Sequence, residues 1–416
     1  MAPSRVGHLN REFLKFWLGQ SVSLLGNQFT QLALPLAAAV TLHATPIEMG
    51  LLGAMRFLPG IVVGFPAGVW LDRTKRKPIV VASQAVSACA LATIPAAALL
   101  HVLSIGQLYA VALVTGASTT TQVISITSLL PTLVGRDRLV QANTRMQSSF
   151  TVASLVGPGL AGATVQLLTA PIAIAVDAVS FVVGSLTAAW TRVDEILPTH
   201  PAKARPVADA IEGQRWMWRQ PLVRAVSLTI LLNNGGNNVV FAVYVLYFVT
   251  QVGITPAQLG LVFAVAGTTA LLGARIARPL VARGWLGPLM AVGAGLVVVG
   301  QSGTLVGAYA PHRAVLPILL AFSALLGCAL MVYNVNQQSI RQAVTPNLLL
   351  ARVQSGVFVL VSIAAVLGSL LGGAIGQSFG LRAAITVGVA IELVSAVPSI
   401  FSPLRKLREV PATAVP

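Results

Sequence analysis

Long runs of apolar residues, separated by short polar stretches, dominate this chain from near residue 13 to near residue 401. A helix needs about 20 predominantly apolar residues to cross a hydrocarbon core of about 30 Å. By that measure the pattern predicts an all-α integral membrane protein with twelve transmembrane helices. The predicted spans are 13–42, 48–71, 78–101, 105–133, 145–167, 171–190, 224–250, 256–280, 286–308, 314–340, 353–376 and 382–401.

The composition of the chain agrees with a membrane protein. Of 416 residues, 56% are hydrophobic and 9% are charged, whereas about a quarter of the residues in a soluble domain are charged. No short apolar segment with a cleavage site precedes the first span, so a removable signal peptide is not expected. Cys89 and Cys328 fall inside predicted spans, and we expect small buried thiols rather than a disulfide.

The net charge of +16 follows from topology rather than from nucleic-acid binding, which would need a basic face on a soluble fold. Of the 27 Lys and Arg residues, all but Arg56, Arg313 and Arg382 fall on one side of the predicted membrane. Basic residues concentrate on the cytoplasmic side of membrane proteins. The sequence therefore predicts a multi-pass protein of a bacterial plasma (inner) membrane with both termini in the cytoplasm.

An internal repeat divides the chain into two parts. "TPIEMGLLGA" at 45–54 returns as "TPAQLGLVFA" at 255–264, and "GPGLAG" at 157–162 returns as "GSLLGG" at 368–373. The pair Gly26-Asn27 likewise matches Gly236-Asn237. The repeat predicts two six-helix halves, related as a parallel repeat. Their boundaries are 1–190 and 224–416, with a cytoplasmic interdomain linker at 191–223.

The linker is expected to contain a short amphipathic helix that ends before Pro221, because "ADAIEGQRWMWRQP" places tryptophans beside basic residues. Such a helix would lie at the membrane surface and act mechanically. An unstructured tether with interfacial tryptophans is the alternative interpretation.

"GVWLDRTKRK" at 68–77 resembles the signature between the second and third helices of the major facilitator superfamily. That resemblance implies a major facilitator fold and a conformational latch at the cytoplasmic side. The residues that match the signature are Gly68, Asp72, Arg73, Arg76 and Lys77. If the latch operates, Asp72→Asn should impair transport without affecting membrane insertion.

Other stretches resemble the drug/proton antiporter branch that holds macrolide efflux proteins and enterobactin exporters. They include "NREFLKFWLGQSVSLLGNQFTQLALPL" at the N-terminus and "RQAVTPNLLLARVQS" before the eleventh span. "SLVGPGLAG" in the fifth span resembles the antiporter motif of proton-driven exporters, which Gly157, Pro158 and Gly162 match. These residues permit close packing and a bend, and packing alone is the alternative role.

Asp177, Glu392 and Arg56 are the unusual charges inside predicted spans, where an acidic group costs at least about 2.5 kcal/mol on insertion scales. Asp177 and Glu392 are candidate proton carriers, and each has a structural alternative as a hydrogen-bonding group between helices. Arg56 needs a carboxylate or carbonyl partner. It is expected to form a structural ion pair, to take part in proton or substrate coupling, or to extend its side chain toward the interface.

Uncharged polar side chains recur in the first, fourth, seventh and tenth spans. They are expected to line a substrate cavity or to hydrogen-bond between helices. The candidates are Asn27, Gln28, Gln31, Thr121, Gln122, Asn234, Asn237, Asn238, Tyr333, Asn334 and Gln337. The fourth span lacks the arginine found in many proton antiporters of this superfamily, which leaves Arg56 and the two acids as substitutes.

No phosphate-binding loop motif occurs, so we expect neither ATP hydrolysis nor a cofactor, with a proton gradient as the energy source. His43, His101 and His312 are read as loop residues and no metal site is expected. The sequence thus predicts a monomeric secondary transporter in the lipid bilayer, not an enzyme, exporting an amphipathic drug, antibiotic or siderophore-like metabolite in exchange for protons. The alternatives are an uptake transporter or lipid flippase on the same scaffold, and a non-transporting receptor or assembly protein.

Overall fold

The computed structural model describes residues 10–63, 74–195, 206–283, 286–346 and 349–401. This part of the chain is helical, without a strand. Thirteen α-helices run in chain order as α1 Arg11–Leu36, α2 Pro46–Val62, α3 Arg76–Leu99, α4 Ile105–Val134, α5 Leu139–Leu167, α6 Ala170–Trp190, α7 Pro206–Arg219, α8 Pro221–Val245, α9 Pro256–Ala282, α10 Leu286–Tyr309, α11 His312–Val344, α12 Leu350–Phe379 and α13 Leu381–Phe401.

The repeated "TP" segments are the start signals of α2 and α9. The Thr45 backbone N–H donates to Glu48 Oε2 at 2.7 Å, and the Glu48 N–H donates to Thr45 Oγ1 at 3.4 Å. In the second copy, Thr255 and Gln258 exchange the same two hydrogen bonds at 3.0 and 3.3 Å. Each pair forms a capping box that satisfies backbone donors at a helix start. The sequence repeat is therefore also a repeat of local structure.

The helix bundle has two ends with different connections. The hairpin end carries the short connections 42–45, 100–104 and 252–255, whereas the terminal end carries residue 10, the turn at 135–138 and the segment 191–195. At the hairpin end, both α1 and α8 continue into wide π-helical turns, Ala37–Thr41 and Leu246–Gln251, and these two turns touch. Equivalent helices of the repeat thus finish in the same way and meet.

Nine helices in the described ranges are long and apolar enough to cross a membrane: α3 to α6 and α9 to α13. Helix α2 is described over 17 residues, which is below the required length. Helices α1 and α8 carry the clustered Asn and Gln side chains that lower their hydropathy. The prediction that both cysteines are buried is wrong, since Cys89 is exposed and Cys328 is only partly buried. A helix face toward lipid is as apolar as one toward the core, so apolarity alone does not indicate burial.

The apolar core is continuous at the hairpin end and divided at the terminal end. One cluster at the hairpin end joins residues of α1, α2, α3, α8, α9 and α13. Toward the terminal end, Phe13, Phe16 and Leu133 belong to one cluster, while Met217 and Met290 belong to another. The bundle is therefore closed at the hairpin end and separated at the terminal end.

Candidate functional site

Four cavities lie side by side in the middle of the bundle. The Asp177 cavity, of about 440 Å³, contains Thr30, Arg56 and Asp177. The central cavity, of about 310 Å³, is lined by Arg56 and the α8 amides, and the lateral cavity, of about 320 Å³, extends along Pro158 and Asn334. The aromatic cavity, of about 100 Å³, is lined by Phe241, Tyr244, Phe263 and Ala266.

Two side chains, Gln31 and Phe241, each line three of these cavities. Gln31 lines the Asp177, central and lateral cavities, and Phe241 lines the central, lateral and aromatic cavities. Most of the lining is apolar, with a few amide, hydroxyl and charged groups. Sites for small organic molecules are commonly built in this way, with a few polar groups that fix orientation.

Asp177 of α6 is fully buried, yet it belongs to the lining of the Asp177 cavity. Its Oδ1 accepts a hydrogen bond of 3.0 Å from Ser180 Oγ, and its Oδ2 has no hydrogen-bond partner among the described residues. The Thr30 hydroxyl lies beside the carboxyl group without the geometry of a full hydrogen bond. Arg56 of α2 lines the same cavity, and its charge attracts that of Asp177.

Glu392 of α13 is 1% exposed and lies outside the lining of the four cavities. Neither carboxyl oxygen has a hydrogen-bond partner in the described ranges, although the side-chain amide of Asn237 lies beside the group. A Cβ atom on Gly236 would lie 2.7 Å from Glu392 Cγ. In the first half, a Cβ atom on Gly26 would lie 2.5 Å from Asp177 Oδ1. The two carboxyl groups thus pack on matching glycines of α1 and α8.

Seven of the eleven polar residues predicted for the substrate site line these cavities: Asn27, Gln28, Gln31, Asn234, Asn237, Asn238 and Asn334. Four do not: Thr121, Gln122, Tyr333 and Gln337. Thr121 Oγ1 donates to the carbonyl of Ala117 at 2.9 Å, and Gln337 Nε2 donates to Asn334 Oδ1 at 3.2 Å. Both hydrogen bonds stay within one helix, α4 or α11, so neither is the bond between helices that was the alternative role.

The glycines of the antiporter motif pack against neighbouring helices. A Cβ atom on Gly157 would lie 2.5 Å from Gln28 Cβ of α1, and one on Gly162 would lie 2.9 Å from Gly260 Cα of α9. Pro158, between them, lines the lateral cavity. Gly162 therefore lies at a close approach of α5 and α9 at the hairpin end, which requires a residue without a side chain.

Of the predicted latch, Gly68, Asp72 and Arg73 lie outside the described residues, while Arg76 and Lys77 begin α3. The backbone N–H groups of Arg76 and Lys77 donate to the two carboxylate oxygens of Glu195, at 2.6 and 2.8 Å. Glu195 thus caps the positive end of the α3 dipole. At the same end, Glu12 Oε2 accepts from the Arg192 N–H at 2.6 Å.

Sequence reasoning missed Thr30, Phe241 and Glu195. Thr30 and Phe241 occur in the polar stretches "GNQFTQ" and "NNVVFA" of α1 and α8, one helical turn from predicted amides, and that spacing could have included them. Glu195 carries no such signal, because its partners are backbone groups over 100 residues away along the chain.

A bundle of long apolar helices surrounds cavities with a few polar lining groups and is closed at one end, an architecture that a membrane transporter can use. The sequence profile described as Major Facilitator Superfamily matches residues 16–300, so this chain belongs to that family. It is accordingly a multi-pass membrane transporter and not an enzyme, and the resemblance seen in the sequence is confirmed.

Curated relatives with efflux names are similar to this chain at low identity. The multidrug efflux pump Tap of Mycolicibacterium fortuitum is 23% identical over 94% of this chain and 95% of its own length. Macrolide efflux protein A of Streptococcus pyogenes is 24% identical over 44% of this chain, a match that spans only 45% of that relative. The enterobactin exporter EntS of Citrobacter koseri is 25% identical over 63% of this chain and 62% of its own length.

Solved transporter structures share the fold. A mutant of the nucleoside transporter NupG superposes with a TM-score of 0.76 over 94% of this chain and 99% of that chain, at 10% identity. A bacterial homologue of the iron transporter ferroportin in an inward-facing state superposes with a TM-score of 0.74 over 95% of this chain and 99% of that chain, at 17% identity. At these identities the likeness concerns the fold alone.

Proposed function

We propose that this protein exports an amphipathic drug, antibiotic or siderophore-like metabolite from a bacterial cell in exchange for protons. In the proposed topology the protein has twelve spans in two six-helix halves, α1–α6 and α8–α13, and both termini lie in the cytoplasm. The observation that carries it is the Asp177 cavity, where a buried carboxyl group and Arg56 share one chamber with Gln31 and Asn27. The efflux names of the curated relatives support export as the direction.

Proton coupling operates through Asp177 and Arg56. Ionised Asp177 attracts Arg56, and a proton entering from outside neutralises the carboxylate and removes that attraction. Arg56 lies on α2, which crosses α12 at the hairpin end, where a Cβ atom on Gly50 would lie 2.9 Å from Gly373 Cα. Protonation therefore changes the force on one of the helices that close the hairpin end. Release of the proton to the cytoplasm restores the attraction.

Alternating access follows from the packing of the helices. Helices α2 and α12, and likewise α5 and α9, cross at the hairpin end, which is outward-facing in the proposed topology. The divided core at the terminal end corresponds to a state open to the cytoplasm. The latch formed around Asp72 and Arg76 then acts when the terminal end closes. A midplane site reached from alternate sides is the general arrangement of such transporters.

Export is tested in everted membrane vesicles from cells with and without the protein, using a panel of fluorescent amphipathic dyes. Acidification of the lumen should drive dye accumulation, and collapse of the pH gradient by nigericin should release the dye. Accumulation only in right-side-out vesicles would favour an uptake transporter. Movement of fluorescent phospholipid between leaflets would favour a flippase, and the absence of all substrate-dependent proton movement would favour a receptor or assembly protein.

A further inference from the structure

The two halves of the repeat differ at the position of the basic residue that accompanies the buried carboxyl group in the first half. Asp177 and Glu392 pack on the matching glycines Gly26 and Gly236. Arg56, which attracts Asp177, stands 11 positions after Thr45 in the first "TP" repeat, and Ala266 stands 11 positions after Thr255 in the second. The second half therefore has the acid but an alanine where the first half has the arginine.

Space remains where the arginine side chain is missing. Ala266 lines the aromatic cavity, whose volume is about 100 Å³. Asn237 lines the same cavity and lies beside Glu392, so a single amide separates the cavity from the acid. None of the described residues that line the cavity is charged. Burial of an ionised carboxylate without a partner is costly. A cation bound in this space would be that partner for Glu392.

The walls of the aromatic cavity suit an organic cation. Phe241 and Phe263 have ring centroids 6.4 Å apart, and Tyr244 and Phe263 have centroids 5.9 Å apart. Aromatic faces attract ammonium groups electrostatically, and the attraction strengthens when water is excluded. The polar Gln301 side chain completes the lining and is itself buried.

We propose that the aromatic cavity receives an ammonium group of the exported substrate, with Glu392 as its counter-charge, so that the substrate takes the place that Arg56 occupies in the first half. This inference rests on the proposed export function and narrows its substrate class to amphipathic organic cations. Asp177 remains the proton-coupling group, and Glu392 determines which substrate charge is accepted.

The test uses two dansyl amides of the same shape, one bearing a 2-(trimethylammonio)ethyl group and the other its uncharged 3,3-dimethylbutyl analogue. Binding to purified full-length protein in detergent is followed by dansyl fluorescence without any gradient. Wild-type protein should bind the cationic probe at least 10-fold more tightly than the neutral one. Glu392→Gln should abolish this preference, whereas Asp177→Asn should retain it.

A second pair of variants tests the cavity without removing the acid. Ala266→Arg should exclude the cationic probe, and Ala266→Met, which adds bulk without charge, should reduce binding of both probes equally. Equal affinity of the two probes for wild type, or a preference that survives Glu392→Gln, would overturn the proposal. Displacement of the cationic probe by millimolar Na⁺ would also overturn it in favour of an inorganic cation. Because binding is measured without transport, failure of export in vesicles would leave this result unaffected.

Discussion

Gln31 and Phe241 line the central and lateral cavities together, from matching positions of α1 and α8. The first is an amide and the second an aromatic ring, so the two halves present different chemistry to one chamber. An amide fixes orientation through hydrogen bonds, whereas a ring provides apolar area and an attractive face. The approximate symmetry of the fold therefore surrounds a site that is chemically asymmetric.

We expect Phe241→Ala to lower the affinity for an aromatic substrate by about fivefold, since loss of a buried ring contact costs on the order of 1 kcal/mol. Gln31→Ala should instead reduce discrimination among substrates that differ in hydrogen-bonding groups. Fluorescence titration of purified variants measures both effects. Val22→Ala, on an exposed part of α1, is the control, and an equal loss in that variant would contradict a specific role for Phe241.

Asp177→Asn should lower proton-driven export at least tenfold while substrate exchange without a gradient continues. The amide has nearly the shape of the acid but neither carries the charge nor exchanges the proton. Everted vesicles measure driven export, and preloaded vesicles measure exchange. Asp194→Asn, at an exposed position near the end of α6, is the matched control. Unchanged coupling in Asp177→Asn would exclude this residue as the proton carrier.

Gly162→Val should prevent closure at the hairpin end, because a side chain there would overlap the backbone of α9 at Gly260. Transport should fall at least tenfold, and a cysteine placed in the central cavity should become accessible to a charged thiol reagent from the hairpin side. Gly159→Ala is the control, since its Cβ would lie 3.6 Å from Ala264 Cβ, an ordinary contact. Equal reagent access in the two variants would argue against this crossing as the closing contact.

Much of the fold was predictable because membrane helices need long apolar runs, and the "TP" repeat marked two equivalent capping boxes. The site was predictable only in part. Amides of α1 and α8 line the cavities, but Gln122 and Tyr333 do not, because hydropathy does not fix which face of a helix points inward when both lipid and core are apolar. The carboxylate of Glu195 meets backbone N–H groups, and such pairings leave no trace in side-chain patterns.

Glu195→Gln should weaken the start of α3 by about 1 kcal/mol, the usual size of an N-cap contribution. The loss arises because the carboxylate accepts two backbone hydrogen bonds and also interacts with the positive end of the helix dipole. Thermal unfolding in detergent, followed by a thiol-reactive dye at Cys328 in a Cys89→Ser background that removes the exposed thiol, measures the change. Asp194→Asn again provides the neighbouring control, and equal stability of the two variants would contradict the capping role.

Helix α7 confirms the predicted linker helix and lies against α12, the helix that crosses α2. Arg352 forms an ion pair with Glu212, and Gln214 Nε2 donates to the Gly356 carbonyl at 3.1 Å. A Cβ atom on Gly213 would lie 2.8 Å from Arg352 Cβ. Exposed ion pairs contribute about 0–1 kcal/mol, so the close backbone packing at Gly213 should matter more than the charges.

We therefore expect Gly213→Val to separate α7 from α12 and to slow transport several-fold, whereas Glu212→Gln should have little effect. Hydrogen–deuterium exchange over residues 206–219 measures the separation, because backbone amides of a detached short helix exchange faster. Gly235→Ala, at a position with open space around it, tests whether any glycine replacement has the same consequence. Faster exchange in Gly213→Val with unchanged transport would show that α7 docks without a mechanical role, since the helix would then be free while the two halves still moved.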